Sequence, residues 1–172
     1  MPQAPDVNRG VPPVWLHELP GRAAACWPGH RALTVDGRHW SDADLQSQIE
    51  RWAAGLLSLG VERGARVAVY LEKRVETVVA SFAAPAAGGV LVPINPLLKA
   101  AQVAHILQDA QAQVLVTSAA RLAALAPLLV ACSELRHVVL CDGRAQPNPS
   151  GWPDHLVLHV WPDVLDRQSA AL

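Results

Sequence analysis

Charge is scarce in this chain of 172 residues. Asp, Glu, Lys and Arg make up 17% of the residues, against about 25% in an ordinary soluble domain, while the apolar fraction reaches 51%. The net charge is −1, which argues against the basic surface expected of a protein that binds nucleic acid or an anionic membrane. The low charge has two readings: an Ala-rich composition, or a face that further polypeptide normally covers.

Cysteine is rare as well, with three residues in the chain, Cys26, Cys132 and Cys141. Their number is odd and no two of them form a Cys-x-x-Cys pair, which argues against a disulfide framework and against a metal site built on cysteine. The same pattern is typical of proteins that keep their thiols reduced. We therefore expect a cytoplasmic location.

The chain lacks the glycine-rich loops that bind nucleotide phosphates. Neither Gly-x-Gly-x-x-Gly nor Gly-x-x-x-x-Gly-Lys occurs, and there is no Gly-x-Ser-x-Gly nucleophile elbow. Phosphate loops run from a strand into a helix, so that backbone N–H groups face the anion. The glycines of segment 60–64 and the pair Gly88-Gly89 run from a predicted helix into a predicted strand instead. They are therefore interpreted as helix-capping turns.

No charged residue occurs between Glu76 and Lys99, so this stretch has to be tested as a membrane span. Pro85 and Pro93 interrupt it, much of its apolarity comes from alanine, and a half with helical periodicity precedes a β-branched half. These features favour a buried helix followed by a buried strand over a membrane span. Residues 1–10 also lack the apolar segment of a signal peptide.

What the chain does contain is a repeated alternation of helix and strand patterns. Residues 1–13 are Pro-rich and polar and are predicted to form a flexible arm, whereas residues 14–172 are predicted to form a single α/β domain. A short helix is expected over 14–19, stopped by Pro20-Gly21.

A hairpin and a capped helix are predicted next. Two short extended segments flank Asp36-Gly37, a dipeptide that supplies the positive φ values of a tight hairpin turn. Ser41 is expected to be the N-cap of the following helix, with Asp44 three residues later completing a capping box.

Four apolar stripes at helical spacing alternate with four short apolar runs. The stripes are Leu45, Ile49, Trp52, Ala53 and Leu56; Val75, Val78, Val79, Phe82 and Ala83; Val103, Ile106, Leu107 and Ala110; and Leu122, Leu125 and Leu129. The runs are 66–71, 90–92, 113–116 and 137–140. Pro127 is expected to start or kink the second half of the last helix. This rhythm predicts an α/β fold with a mainly parallel sheet and helices on both faces. A further strand is predicted over 156–160, and a short helix or tail after it.

Residue types that carry chemistry are present, but not in catalytic arrangements. His155 and His159 are four residues apart, and on a predicted strand that spacing separates them by about 13 Å, too far to bind one metal ion together. His105 is interpreted as a helix-face residue, and Glu72 and Glu76 as part of a solvated helix entrance. We therefore assign no catalytic, cofactor-binding or metal-binding residue.

Three segments carry a family resemblance. They are Ser41-Asp42-Ala43-Asp44-Leu45, Ala87-Gly88-Gly89-Val90-Leu91-Val92-Pro93-Ile94-Asn95-Pro96, and Lys99-Ala-Ala-Gln-Val-Ala-His-Ile-Leu107. In order and spacing they resemble the opening of the AMP-forming acyl-CoA synthetases, the adenylate-forming superfamily. The second segment is similar to the family pattern Leu-x-Ala-Gly-Gly-x-x-Val-Pro-x-Asn/Asp-Pro. In the first, Asp42 stands where the family usually has an aromatic residue. The resemblance extends over 14–142 and looks closest to acyl-CoA ligases associated with exosortase systems.

For a complete enzyme, the resemblance implies that a carboxylic acid is activated by ATP, with Mg²⁺, to an acyl-adenylate and then transferred to the thiol of CoA, as in fatty acid metabolism. The family's Thr/Ser/Gly-rich ATP loop, acidic ribose-binding motif and catalytic lysine have no match here. The resemblance therefore implies an N-terminal subdomain that is truncated before the ATP loop, is not catalytic alone, binds no cofactor itself and has the remainder of the enzyme as its partner.

Some family members place a basic residue shortly after the Asn-Pro turn, near the CoA entrance. Here Leu97 and Leu98 occupy that stretch, and Lys99, the nearest cation, is expected to face solvent.

Two other functions stay open: a free-standing α/β interaction module, and a small-ligand-binding domain with a pocket at the carboxyl ends of its strands. Self-association as a homodimer is also predicted, because the last strand is expected to lack a neighbour. Its contacts would come from Leu156, Val157, Leu158 and Val160.

Overall fold

The structure is a computed structural model that describes residues 15–142 and 152–166. Its helices are α1 (Glu18–Cys26), α2 (Asp42–Ser58), α3 (Val75–Ala86), α4 (Ala100–Asp109), α5 (Ala119–Leu125), a 3-10 helix (Ala126–Ala131) and α6 (Trp161–Asp166). Its strands are β1 (Arg31–Val35), β2 (Arg38–Ser41), β3 (Arg66–Val69), β4 (Val90–Pro93), β5 (Val114–Thr117), β6 (His137–Leu140) and β7 (Val157–Val160). The predicted arm over 1–13 lies outside the described residues.

Five strands form one parallel sheet in the order β4-β3-β5-β6-β7, which confirms the predicted fold class. The chain passes from β3 outward to β4 and then crosses back to β5 on the other side of β3. The strand order therefore changes direction between β3 and β5. At such a switch point the connections leave on opposite faces of the sheet and open a crevice at the carboxyl ends of the two strands.

Helices cover both faces of this sheet. Helices α2, α3 and α6 contribute to one buried apolar cluster, and α4, α5 and the 3-10 helix contribute to the other. Central strands are apolar on both faces because both faces are covered: Val67 and Ala68 are each 0% exposed. Pro127 lies in the first turn of the 3-10 helix, where its missing N–H disrupts no bond, as predicted.

Helix α2 has the predicted cap and the predicted buried face. The Asp44 N–H donates to Ser41 Oγ at 3.1 Å, and the Ser41 N–H donates to Asp44 Oδ2 at 3.1 Å, so the capping box is complete. The Ser41 hydroxyl, which donates to Asp44 Oδ2 at 2.7 Å, and the Ser41 N–H hold the pKa of Asp44 below its usual value. All five residues of the first apolar stripe are buried. After the helix, Gly60 has a φ of 81°, the left-handed conformation of a C-terminal cap.

The hairpin is also confirmed. Strands β1 and β2 pair antiparallel in a separate small sheet. Asp36 and Gly37 have φ values of 49° and 76°, as the tight turn requires.

The first helix differs from the sequence prediction. The sequence suggests a helix over 14–19 that stops at Pro20-Gly21, but α1 begins at Glu18 and continues to Cys26. Pro20 is the third residue of the helix, where a backbone N–H has no intrahelical partner, so its absence costs little. At Gly21, a Cβ would lie 3.4 Å from the Gln46 side chain, which shows how closely α1 packs on α2.

Helix α6 closes the face formed by α2. The indole rings of Trp52 and Trp161 stack with their centroids 4.6 Å apart. Gly55 allows the backbones to approach so closely that a Cβ there would lie 2.2 Å from the carbonyl oxygen of Val164. An exposed ion pair between Arg51 and Asp166, 2.6 Å long and between residues 115 positions apart, links the two helices at the surface.

Strands β4 and β7 form the two edges of the sheet. The apolar residues suggested for self-association differ in exposure: Val157 is 49% exposed, whereas Leu156 and Val160 are buried at 3% and 7%. The list of contact residues was therefore too broad, because a residue next to a free backbone edge can still point its side chain into the core.

The uncharged stretch after Glu76 forms α3 and β4, as predicted. Within residues 15–142 and 152–166, no helix is both long enough and apolar enough to cross a membrane.

Candidate functional site at the carboxyl end of the sheet

The switch point brings polar side chains together at the carboxyl end of the sheet. Tyr70 and Glu72 follow β3, and Ser118 and Arg121 follow β5. Because β3 and β5 are direct neighbours, the residues that follow them meet at the carboxyl end of the sheet. This carboxyl end of the sheet is where doubly wound folds bind ligands.

Arg121 is the centre of this arrangement. Its Nε and Nη2 donate to Glu72 Oε1 at 2.9 and 2.6 Å, and its Nη1 donates to the carbonyl oxygen of Pro96 at 2.8 Å. The guanidinium carbon also lies 4.4 Å from the centroid of the Tyr70 ring. We call Tyr70, Glu72, Pro96 and Arg121 the Arg121 cluster.

The charges of this cluster stabilise one another. The hydrogen bonds from Arg121 hold the pKa of Glu72 below its usual 4.5. Burial is the largest single effect on the pKa of Arg121 and lowers it, but the hydrogen bonds and charges of Glu72 and Tyr70 together outweigh it, so the pKa of Arg121 is raised. The cation is thus already neutralised within the chain, and a role in holding structure fits it better than a role in attracting an anionic substrate.

A second ion pair lies at the start of α3. Arg74 Nε and Nη2 donate to the two carboxylate oxygens of Glu76 at 2.6 and 3.0 Å. The Glu76 side chain is only 16% exposed, while that of Glu72 is 57% exposed. Glu72 therefore fits the predicted solvated helix entrance, but Glu76 does not, because its carboxylate is held by Arg74 in a mostly buried pair.

A groove of about 510 Å³ lies between the hairpin and the segment 72–76. Its walls carry charges of both signs, among them Asp36, Arg38 and Lys73. The Arg38 guanidinium carbon lies 4.3 Å from the Trp40 ring centroid. With charges of both signs and one aromatic wall, the groove could accept a small molecule with polar and apolar parts, but it shows no preference for an anion.

The glycine turns lie where the sequence places them: Gly60 and Gly88 follow the ends of α2 and α3, and Gly64 lies in the turn before β3. Gly60, Gly64 and Gly88 have φ values of 81°, 83° and 81°. The N–H of Gly89 donates to the carbonyl oxygen of Ala84 at 2.9 Å, so this turn satisfies the last carbonyls of α3. These turns therefore do not form a phosphate-binding loop, and the family's ATP has no fitting cradle in them.

The positions of some histidines agree with the sequence prediction and those of others do not. His105 is exposed on α4, as predicted, whereas His155 lies before β7 rather than on it. His159 lies on β7 and contacts His137 of β6: His137 Nδ1 and His159 Nε2 are 3.1 Å apart. The ring centroids are 5.2 Å apart, so the two nitrogens point nearly at each other, as in a hydrogen bond, and not toward a shared metal ion.

The cysteines and carboxylates are further side chains that could bind a metal ion. Cys26, Cys132 and Cys141 are free thiols, as expected, and burial raises the pKa values of Cys132 and Cys141, so neither is a reactive thiolate. Among residues 15–142 and 152–166, no three His, Cys, Asp or Glu side chains are grouped to hold a metal ion.

Lys99 is exposed at the start of α4, as predicted, and its N–H donates to Gln102 Oε1 at 3.0 Å. Sequence reasoning missed Arg121 and the His137–His159 contact. A charged residue in the first turn of the helix that follows a strand is a signal that could have identified Arg121, but its partners depend on the strand order.

The comparisons with known proteins identify the family. Residues 21–164 match the family described as AMP-binding enzyme. This match spans most of the chain, and the chain therefore belongs to the AMP-binding enzyme family, the adenylate-forming enzymes.

Two curated relatives show how much of such proteins the chain spans. It is 32% identical over 145 residues to syringomycin synthase SyrB1 of Pseudomonas syringae pv. syringae, which covers 81% of this chain and 24% of that protein. It is 43% identical over 84 residues to the long-chain-fatty-acid–CoA ligase FadD15 of Mycobacterium bovis, which covers 47% of this chain and 14% of that protein. The chain thus spans a quarter or less of the length of either relative.

The structure also resembles the crystal structure of the N-terminal domain of FACL13 from Mycobacterium tuberculosis. The TM-score is 0.64 at 25% sequence identity, and the match covers 90% of this chain and 36% of that chain. The described residues therefore have the fold of the N-terminal subdomain of adenylate-forming enzymes.

Proposed function

We propose that this chain is the N-terminal subdomain of an ATP-dependent carboxylic acid:CoA ligase. The complete enzyme would form an acyl-adenylate with release of pyrophosphate and then a thioester with CoA. The observation that carries the proposal is the family match over residues 21–164, which includes the Gly88-Gly89 turn and the Asn95-Pro96 turn. The exosortase-associated ligases and fatty acid metabolism are the finer assignments that we infer from the sequence resemblance alone.

In this proposal the chain supplies a scaffold and not the catalytic groups. Arg121 and Arg74 are paired with Glu72 and Glu76, so neither guanidinium is left to bind a phosphate. ATP, Mg²⁺ and CoA would be bound mainly by the remainder of the enzyme, which is the proposed partner of this chain in the cytoplasm. No reaction step is assigned to a side chain described above.

Pyrophosphate release tests the proposal. The 172-residue chain should release no pyrophosphate from ATP with any of a panel of aliphatic, aromatic and amino acids. A longer polypeptide that contains this chain followed by the Thr/Ser/Gly-rich loop and the catalytic lysine should release pyrophosphate with at least one acid. Turnover by the short chain that Arg121→Gln abolishes, with the protein still folded, would contradict the scaffold role.

The groove beside the hairpin supports a second candidate, a free-standing small-ligand-binding module. Its volume of about 510 Å³ is within the range of small-molecule pockets. Thermal shift with a library of small acids and nucleotides would detect such a ligand. A Trp40→Ala variant that folds normally and loses the shift would favour this candidate, whereas an absence of shifts throughout the library would oppose it.

A further inference from the structure

The turn 95–98, between β4 and α4, is held by several hydrogen bonds although it is open to solvent. Asn95 Oδ1 accepts from the Leu97 N–H at 2.9 Å, and the Asn95 carbonyl oxygen accepts from the Leu98 N–H at 3.1 Å. The Leu97 side chain is 87% exposed. Apolar packing of this side chain therefore does not determine the conformation of the turn.

Two side chains from the segments that follow β3 and β5 hold the carbonyl groups of Pro96 and Leu98. Arg121 Nη1 donates to the Pro96 carbonyl oxygen at 2.8 Å, and Tyr70 Oη donates to the Leu98 carbonyl oxygen at 2.7 Å. Tyr70 is itself 5% exposed and lies under the Arg121 guanidinium. The turn is thus fastened to both strands that border the switch point.

Arg121 is the residue that joins these contacts. Its side chain is 17% exposed, and it contacts the end of β3 through Glu72, the ring of Tyr70 and the carbonyl oxygen of Pro96. A planar guanidinium can make these three contacts simultaneously, because it stacks on a ring with its face and donates hydrogen bonds with its edge. A lysine ammonium at the same position could not.

We propose that Arg121 is a positioning residue that fixes the turn 95–98 against the carboxyl end of the sheet. The turn borders the switch-point crevice, so Arg121 determines the shape of that border and keeps Leu97 directed outward. This role of Arg121 concerns the conformation of this chain alone and does not depend on ligase activity.

Amide hydrogen exchange by NMR tests the proposal on the 172-residue chain. In Arg121→Gln, the amides of Leu97 and Leu98 should exchange about 10- to 100-fold faster, the range expected for loss of a hydrogen bond from a charged donor. The amides of Val116 and Val139 in the central strands should change by no more than about twofold, since local opening does not require global unfolding.

Two further variants separate positioning from general stability. Arg121→Lys keeps the charge but loses the planar fork, so it should recover little of the protection of the turn. Arg51→Gln removes an ion-paired arginine of α2 and should leave the exchange of Leu97 and Leu98 unchanged. If Arg121→Gln does not fold, Arg121→Lys alone supplies the test.

Three outcomes would overturn the proposal. The first is an equal increase in exchange in the turn and in the central strands, which would show a merely stabilising role. The second is unchanged exchange of Leu97 and Leu98 in a folded Arg121 variant. The third is full recovery of protection in Arg121→Lys, which would show that charge alone is sufficient. None of these results depends on whether a longer polypeptide is a ligase.

Discussion

Replacing Gly55 with alanine is expected to destabilise the chain, although alanine is the better helix former. Gly55 lies near the end of α2 and is buried against α6. In an exposed helix interior, Gly→Ala would stabilise the protein by about 0.8–1 kcal/mol. At this position a Cβ would lie 2.2 Å from the Val164 carbonyl oxygen and 2.7 Å from Val164 Cγ1.

The steric effect is expected to outweigh the helix propensity. The nearest atom belongs to the backbone, so a rotamer change cannot relieve the clash and α6 has to move away from α2. Overpacking of this kind typically costs about 1–3 kcal/mol, and the upper part of that range applies when backbone must shift. The displacement also weakens the stacking of Trp52 on Trp161. We therefore expect a net loss of about 1–2 kcal/mol in the free energy of unfolding.

Urea unfolding followed by far-UV circular dichroism measures this effect. Ser47→Ala is the matched control, because Ser47 is exposed on the same helix and the change adds helix propensity without a clash. Ser47→Ala should raise the midpoint slightly, and Gly55→Ala should lower it. If Gly55→Ala raised the midpoint as much as the control did, α6 would not be seated on α2 and the assignment of this helix pair would be wrong.

Three other measurements test separate parts of the structure. Ser41→Ala should cost about 1 kcal/mol through loss of the cap, and Trp52→Ala about 3–5 kcal/mol through loss of a buried side chain; equal urea midpoints would contradict the buried face of α2. Glu72→Gln should destabilise by at most about 1 kcal/mol at neutral pH. Arg121 lowers the folded-state pKa of Glu72, so the difference in stability should be present above pH 4.5 and should disappear as the pH falls through the lowered pKa. A difference that persisted at lower pH would contradict the ion pair with Arg121 as its cause. Light scattering should show concentration-dependent self-association that Val157→Lys weakens, and a constant monomer mass would refute it.

The elements that could be predicted from the sequence are those with local causes. The cap of α2 depends on Ser41 and Asp44, three residues apart, and the hairpin turn depends on the adjacent Asp36 and Gly37. The two-sided burial of the strands was also predictable, because an apolar run without alternation indicates a strand covered on both faces. In each case the signal that predicts the feature lies within a few residues of the sequence.

The features that were missed depend on contacts between distant segments. Arg121 contacts residues that follow β3 and β4, and those contacts exist only because the strand order places β5 beside β3. His137 and His159 meet because β6 and β7 are neighbours. The wrong prediction that the first helix ends at Pro20 has a different origin. A proline can end a helix or lie in its first turn, and the packing of α1 on α2 decides between the two.

The packing of α6 on α2 also has a consequence for the folding of the chain during translation. Arg51 and its partner Asp166 are 115 positions apart, so α2 is synthesised long before the helix that covers it. At about 5–20 residues per second, the interval is roughly 6 to 23 s. During that time the ring of Trp52 has no Trp161 to stack on, and its apolar surface is available to chaperones or to other nascent chains. We therefore expect the yield of soluble protein to depend on translation speed between these two helices.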